Sequence, residues 1–269
     1  MIKVLVSLDA DLASSIALRY ACQMANLVPM ELQPIHVEEA GGEAGSPGTG
    51  WVRRTWETAL LETGQEEITQ LLNAERGSCP ALLPPKLCMG SREDEILREL
   101  DSGEYDLFVE GALYSFTSAN FSAKVRSRLY RHVRCPLILV RNLVPLEKVV
   151  ILLSEDTDPG LVIDAFWRVL GEAPLGLDVL YCRFPAHLHL GPRTPQDPEK
   201  ALAMARKILE ARGRQADELR VLDESPQKAG ELMRDYGLVI ASLPPQHRKG
   251  AMVKLLSHSP TPTMLLSPH

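Results

Sequence analysis

The sequence lacks any apolar run near the roughly 20 residues needed to cross a bilayer, which excludes a helical membrane span. It lacks a Cys-x-x-Cys pair: the five cysteines (22, 79, 88, 135, 182) are odd in number and scattered. That excludes a disulfide framework and suits a reducing cytoplasm, the expected location. Net positive charge is absent too. Asp and Glu outnumber Lys and Arg by 35 to 29, a balance of -6, so the whole-molecule field repels nucleic acid and anionic membrane, and neither is expected as a partner. No P-loop and no Gly-x-Ser-x-Gly elbow occurs, which removes two common catalytic frames. The opening Met1-Ile2-Lys3-Val4-Leu5-Val6 is too short for a signal-peptide core and reads as a strand. What is present is ordinary for a globular protein: 45% hydrophobic and 24% charged residues. A length of 269 residues suggests two domains of about 130 residues each.

Strand and helix patterns alternate through the first half. Lys3 to Leu8 is a short apolar run closed by Asp9. Leu12, Ile16, Tyr20 and Met24 then recur every four residues beside Ala13, Ala17 and Ala21, the stripe of a helix packed on a sheet. Glu31 to Val37 reads as a second strand, followed by a Gly- and Pro-rich loop at 41–50. A long helix is expected from about Trp51 to Arg76, burying Trp56, Leu60, Ile68, Leu71 and Leu72. Pro85 to Met89 forms a third strand. Ser91 is placed to cap the next helix, with Asp94 at the acid position of a capping box. Asp106 to Val109 is strand four. One helix carrying Val125 and Leu129 leads to strand five, Pro136 to Val140. Five strands with intervening helices imply an α/β fold: a mainly parallel, doubly wound sheet covered on both faces.

The second half repeats the plan. Val149 to Leu153, Asp178 to Tyr181, Leu219 to Leu222, Leu238 to Ala241 and Thr263 to Leu266 read as strands. Asp158-Pro159, Asp197-Pro198 and Ser225-Pro226 each place a capping side chain before a proline at the first helical position. Leu161, Val162, Ala165, Phe166, Val169 and Leu170 form the stripe of the first of these helices. Even the polar gap before strand five occurs twice, as Arg134-Cys135-Pro136 and Pro260-Thr261-Pro262. An internal duplication of a unit of about 140 residues is the economical reading. The expected domains are 1–143 and 147–269, with Pro145 in the break.

The chain resembles a tandem universal stress protein. The resemblance rests on Leu8-Asp9-Ala10-Asp11 closing the first strand, His36-Val37 closing the second, Asp106 to Val109, and the segment from Leu129 to Val140 with its Arg131-His132 and Cys135-Pro136. Leu256-Ser257-His258-Ser259-Pro260-Thr261-Pro262 is a fainter second copy. What the resemblance implies is two Rossmann-like domains and, in members that bind it, an adenine nucleotide beyond the carboxyl ends of strands one and four, where an open parallel sheet forms its crevice. Asp9, Ala10, His36 and Val37 then fall at the adenine end. ATP-binding members carry three glycines after strand four that let main-chain N–H groups close on phosphate oxygens. Counted back from His132, those positions are Glu110, Leu113 and Ala123, with Lys124 in the hydroxyl place and Val125 next. Gly111 lies one residue from the first. The expected reading is therefore a universal stress protein of the non-ATP-binding type, with no cofactor and no enzymatic activity. It would act as a stress-response interaction or regulatory module toward an unidentified protein partner. The alternatives are an ATP switch in the first-half crevice, or another anionic metabolite held by Lys124, Arg126 and Arg128. In the second half Ser154 takes the aspartate's place, and Pro244 and Pro245 remove donors where phosphates need them. The resemblance also implies association through the terminal strands, as a pair within the chain that covers two edges otherwise open to aggregation, with a homodimer as the further option.

Four features have a bland reading beside a functional one. Asp9 is an adenine-side carboxylate or a helix cap. The basic run Lys124, Arg126, Arg128, Arg131, Arg134 has no aromatic interleaving and reads as a solvated helix face. His187 and His189 lack a third ligand at standard spacing. Cys135 near His132 is read as a buried cysteine of the strand-five segment rather than a nucleophile.

Overall fold

A computed structural model describes residues 1–39, 51–112, 117–184, 197–243 and 250–266, with side chains 51–61 and 63 excepted. In the first half, strand β1 (Ile2–Ser7) leads into α1 (Leu12–Leu27), β2 (Met30–Glu38), α2 (Trp51–Glu75), β3 (Lys86–Met89), α3 (Arg92–Gly103) and β4 (Leu107–Gly111). Helices α4 (Ser118–Lys124) and α5 (Arg128–His132) precede β5 (Leu137–Val140). The second half runs β6 (Lys148–Leu153), α6 (Pro159–Leu170), β7 (Gly176–Cys182), α7 (Pro198–Ala211), β8 (Glu218–Leu222), α8 (Pro226–Leu232), β9 (Leu238–Ser242), α9 (Ala251–His258) and β10 (Thr263–Leu266). All ten strands form one sheet in the order β3-β2-β1-β4-β5-β10-β9-β6-β7-β8. Every pairing is parallel except the central one, where β10 runs antiparallel to β5 with Met264 opposite Ile138.

Each half is wound the same way, and matched main-chain bonds show it. Asp106 donates to the Lys3 carbonyl and Gly237 to that of Lys148. Phe108 donates to Pro136 and Val239 to Pro262; Ala112 donates to Val140 and Leu243 to Leu266. One apolar core, containing residues of α1, α2, α6 and α7, covers one face of the sheet across both halves. A second, from α3, α4, α5, α8 and α9, covers the other. Strands buried on both faces explain their unbroken apolar runs.

Local expectations fail in three places. Leu12 and Leu161, assigned to buried stripes, are exposed at 66% and 37%; the buried face of α1 is formed by Ala13, Ala17 and Ala21 together with Leu18, Tyr20 and Met24. The single helix expected through Val125 and Leu129 is broken into α4 and α5, because the Ser127 hydroxyl accepts from Tyr130 N–H and starts a new helix. Ser91 stands at the start of α3 without a side-chain bond. Instead the Glu39 carboxylate accepts from Arg92 N–H at 3.0 Å, and Asp94 pairs with Arg128. The three Asp-Pro and Ser-Pro caps of the second half accept from Gly160, Glu199 and Lys228 N–H as read. Ile68 and Leu72 are buried; Trp56 and Leu60 lie outside the described side chains.

Candidate functional site

The crevice at the carboxyl ends of β1 and β4 brings together most of the residues singled out in the first half. Glu110, next to last in β4, has no exposed surface. Its Oε2 lies 2.9 Å from Lys124 Nζ and 3.4 Å from an Arg92 guanidinium nitrogen. The Tyr130 hydroxyl bears on the same carboxylate. Burial alone pushes the Glu110 carboxyl up, but Lys124 and Arg92, with Tyr130, outweigh it and hold it below its ordinary value. Burial in turn lowers Arg92, and Glu110 and Asp9 more than reverse that. Tyr130 is raised far above a free phenol by burial and by Glu110. The group is a self-neutralising network with charge-assisted bonds.

Arg92 extends it. One terminal nitrogen also donates to Ser7 Oγ at 2.8 Å, and Nε lies 3.4 Å from Asp9 Oδ2. Asp9 is thus an ion-pair partner. The helix cap is Asp11, whose carboxylate accepts from Ser14 N–H at 2.7 Å. His36 is buried; its Nδ1 donates to the Leu8 carbonyl at 2.8 Å and its Nε2 lies 2.9 Å from Glu38. Val37 is buried in β2 and pairs with Cys88 of β3, while Ala10 is exposed.

The phosphate side differs from a main-chain cradle. Gly111 has no room for a Cβ because the Ala13 carbonyl of α1 presses on it, so its bareness serves helix–sheet packing. Ala123 is exposed and Lys124 is the last residue of α4. That end of a helix presents carbonyls rather than N–H groups. Val125 is buried under it. Leu113 lies outside the described residues. Lys124, read as an anion holder, is already bound to Glu110, whereas Arg128 is paired with Asp94.

Arg141, which follows β5, ties this region to the second half. Its buried guanidinium donates to the carbonyls of Ser257 and Ser259 at 3.3 and 2.6 Å, and it lies 4.5 Å over the Phe121 ring of α4. Burial pushes its pKa down to about 10. Arg92, Tyr130 and Arg141 carried no local sequence signal beyond their charge or their place in the strand-five segment.

The second crevice has a different lining. Ser154 folds back on Thr157, hydroxyl to hydroxyl at 2.9 Å, and Gly250 starts α9 without a capping side chain. Pro244, Pro245, His187 and His189 lie outside the described residues. Among the described residues no group of three His, Cys, Asp or Glu side chains gathers for a metal, and no helix is long and apolar enough to cross a membrane. Cys135 is pushed up to about 12 by burial, and His132 Nδ1 donates to the Arg128 carbonyl. That pair is not a thiolate and its base.

No family model matches the sequence, and no curated protein matches it. Solved structures do. A universal stress protein from Archaeoglobus fulgidus DSM 4304 superposes with a TM-score of 0.66 at 12% identity, over 98% of this chain and 96% of that one. A provisionally assigned universal stress protein from Pseudomonas aeruginosa UCBPP-PA14 gives 0.60 at 15% identity, over 99% and 93%. The cytoplasmic domain of a prokaryotic cation chloride cotransporter gives 0.52 at 12%, over 98% and 94%. The fold of this chain is therefore the universal stress protein fold, present twice in tandem.

Proposed function

We propose that this chain is a tandem universal stress protein that does not capture a nucleoside triphosphate, and that it works in the cytoplasm as a stress-response interaction or regulatory module without enzymatic activity. The observation that carries this reading is the buried Glu110 carboxylate, clamped by Lys124 at 2.9 Å in the place where a nucleotide-binding relative offers bare main chain. An incoming phosphate would meet a network already neutral within itself, and could gain Lys124 or Arg92 only by stripping that cation from the buried Glu110 carboxylate, which would leave a buried charge uncompensated. Both cations are thus committed to Glu110, and Arg92 to Asp9 as well. The fold is no obstacle to a docking role, since it also serves as a transporter's cytoplasmic domain, and fold alone does not choose among functions.

Pairing of β5 with β10 inside one chain consumes the two edges through which single-domain copies would join. The unit is thus an intrachain pair, and a protein partner or a second copy would dock elsewhere. Calorimetric titration of the full chain with ATP, ADP and AMP in the presence of magnesium tests the reading. The expected result is no binding at millimolar nucleotide and no rise in melting temperature, since a native-state ligand would raise it by mass action. Magnesium-dependent capture of ATP that is lost in D9A and K124A would replace it with a nucleotide switch.

A further inference from the structure

Strand registers fix which residues of the two halves correspond. Lys3 faces Glu31 across β1 and β2, and Lys148 faces Gly176 across β6 and β7. The spacing between halves is thus the same before and after the helices α1 and α6, and it matches Tyr20 with Ala165. Gly237 corresponds to Asp106 through their equivalent bonds to Lys148 and Lys3. Tyr20 has no exposed surface, and its hydroxyl donates to the Gly237 carbonyl at 2.7 Å, sealing α1 against the second half. At the mirrored place there is only the methyl group of Ala165. Ala165 there lines a cleft of about 590 Å³ between α6 and the Arg134–Pro136 segment, with Pro136, Leu161, Met204 and Leu266 on the same apolar side. That volume suits a small organic molecule.

The charges of this cleft are unequal in what they have left to give. Its two acids are engaged: Asp158 accepts from Gly160 N–H and Asp164 pairs with Arg212. Its two cations are not. Arg168 has no hydrogen-bond or ion-pair partner among the described residues, and Arg134 reaches only Asp101, at 4.0 Å, with its side chain 80% exposed. A second cleft of about 230 Å³ shares both arginines and adds Asp106. Asp106 is itself bonded to Lys3 N–H.

We propose that this cleft binds a small aromatic monoanion of one or two rings. Its ring fills the space that Tyr20 fills in the other half, and its carboxylate is held by Arg168 and Arg134. The inference does not depend on what the β1–β4 crevice binds. The probe is 2-naphthoate, titrated calorimetrically into the full chain, with 2-naphthol as the uncharged analogue. Saturable binding is expected, weakened at least tenfold in R134A/R168A, whose changes are at exposed side chains, and at least tenfold with 2-naphthol. A165F, which restores a ring at the mirrored place, is expected to abolish binding and raise the melting temperature. The proposal fails if the wild type does not bind 2-naphthoate, if R134A/R168A binds it as tightly, or if 2-naphthol binds equally well.

Discussion

The two crevices sit on the same backbone frame and are filled in opposite ways. Register and cap positions pair Ser7 with Leu152, Asp9 with Ser154, His36 with Tyr181, Arg92 with Pro226, Glu110 with Ala241, Lys124 with Gly250 and Tyr130 with Leu256. Every ionic member of the first network is replaced by a neutral residue in the second. The strands around them keep their parallel pairing in both halves. The frame is therefore held by the apolar strands and the matched main-chain bonds, and the ion network is an addition to it. A buried ion pair of this kind contributes little net stability when whole, yet its single members are costly to remove.

Whether the halves stand alone is the sharpest break to attempt. Met264→Pro in β10 removes an N–H donor in the middle of the sheet and is expected to cost at least about 3 kcal/mol. Hydrogen exchange reads the outcome. Protection should fall in β4 and β5 as well as in β9 and β10, because both apolar cores cross the junction. Loss confined to residues after 147 would show two independent units.

Next in size is Glu110→Ala, which leaves Lys124 and Arg92 beside each other without their carboxylate. Both keep about a quarter of their side-chain surface exposed, so solvent softens the penalty, and about 2–3 kcal/mol is expected in urea unfolding. The triple change E110A/R92L/K124L, which makes the crevice resemble the second half, should recover most of it. The same carboxylate sets a pH dependence. Its folded-state pKa is depressed, so below its ordinary 4.5 the unfolded chain binds more protons than the folded one. The contribution is complete above that value and is lost as pH falls through the folded one. Glu110→Gln should therefore narrow its stability gap to wild type between pH 6 and pH 3; a gap that stays constant would show that Glu110 is not ionised by this network.

Tyr20→Phe probes the sealed side of the junction. It leaves the Gly237 carbonyl without its 2.7 Å donor in a buried place, at a cost of about 1–2 kcal/mol. A loss below about 0.3 kcal/mol would mean that the ring alone seals the contact.

Element order was legible because strands buried on both faces read as continuous apolar runs and the Asp-Pro and Ser-Pro pairs mark helix starts. The crevice was legible only in part. Glu110 and Lys124 were visible as obstacles and charges, but their mutual pairing was not, since they are joined by the path of the chain after β4. Arg92 enters from α3, 18 positions before Glu110, and no periodicity announces it. Tyr20 was placed in an apolar stripe, whereas its hydroxyl partner lies 217 positions away. The break between α4 and α5 was missed because Val125 and Leu129 keep helical spacing across it, and only the Ser127 bond reveals a second start.

The smallest effect separates two serines at equivalent helix starts. Ser225 accepts from Lys228 N–H at 3.4 Å, a long bond, whereas Ser91 makes none and leaves the work to Glu39. Ser225→Ala should cost about 0.5 kcal/mol, at the low end for a cap, and Ser91→Ala should be silent within error in the same urea titration. Glu39→Ala should instead destabilise α3 by a similar small amount, because a carboxylate at a helix start also meets the positive end of its dipole. Equal losses at the two serines would mean that Ser91 caps α3 in solution and that the two starts work alike.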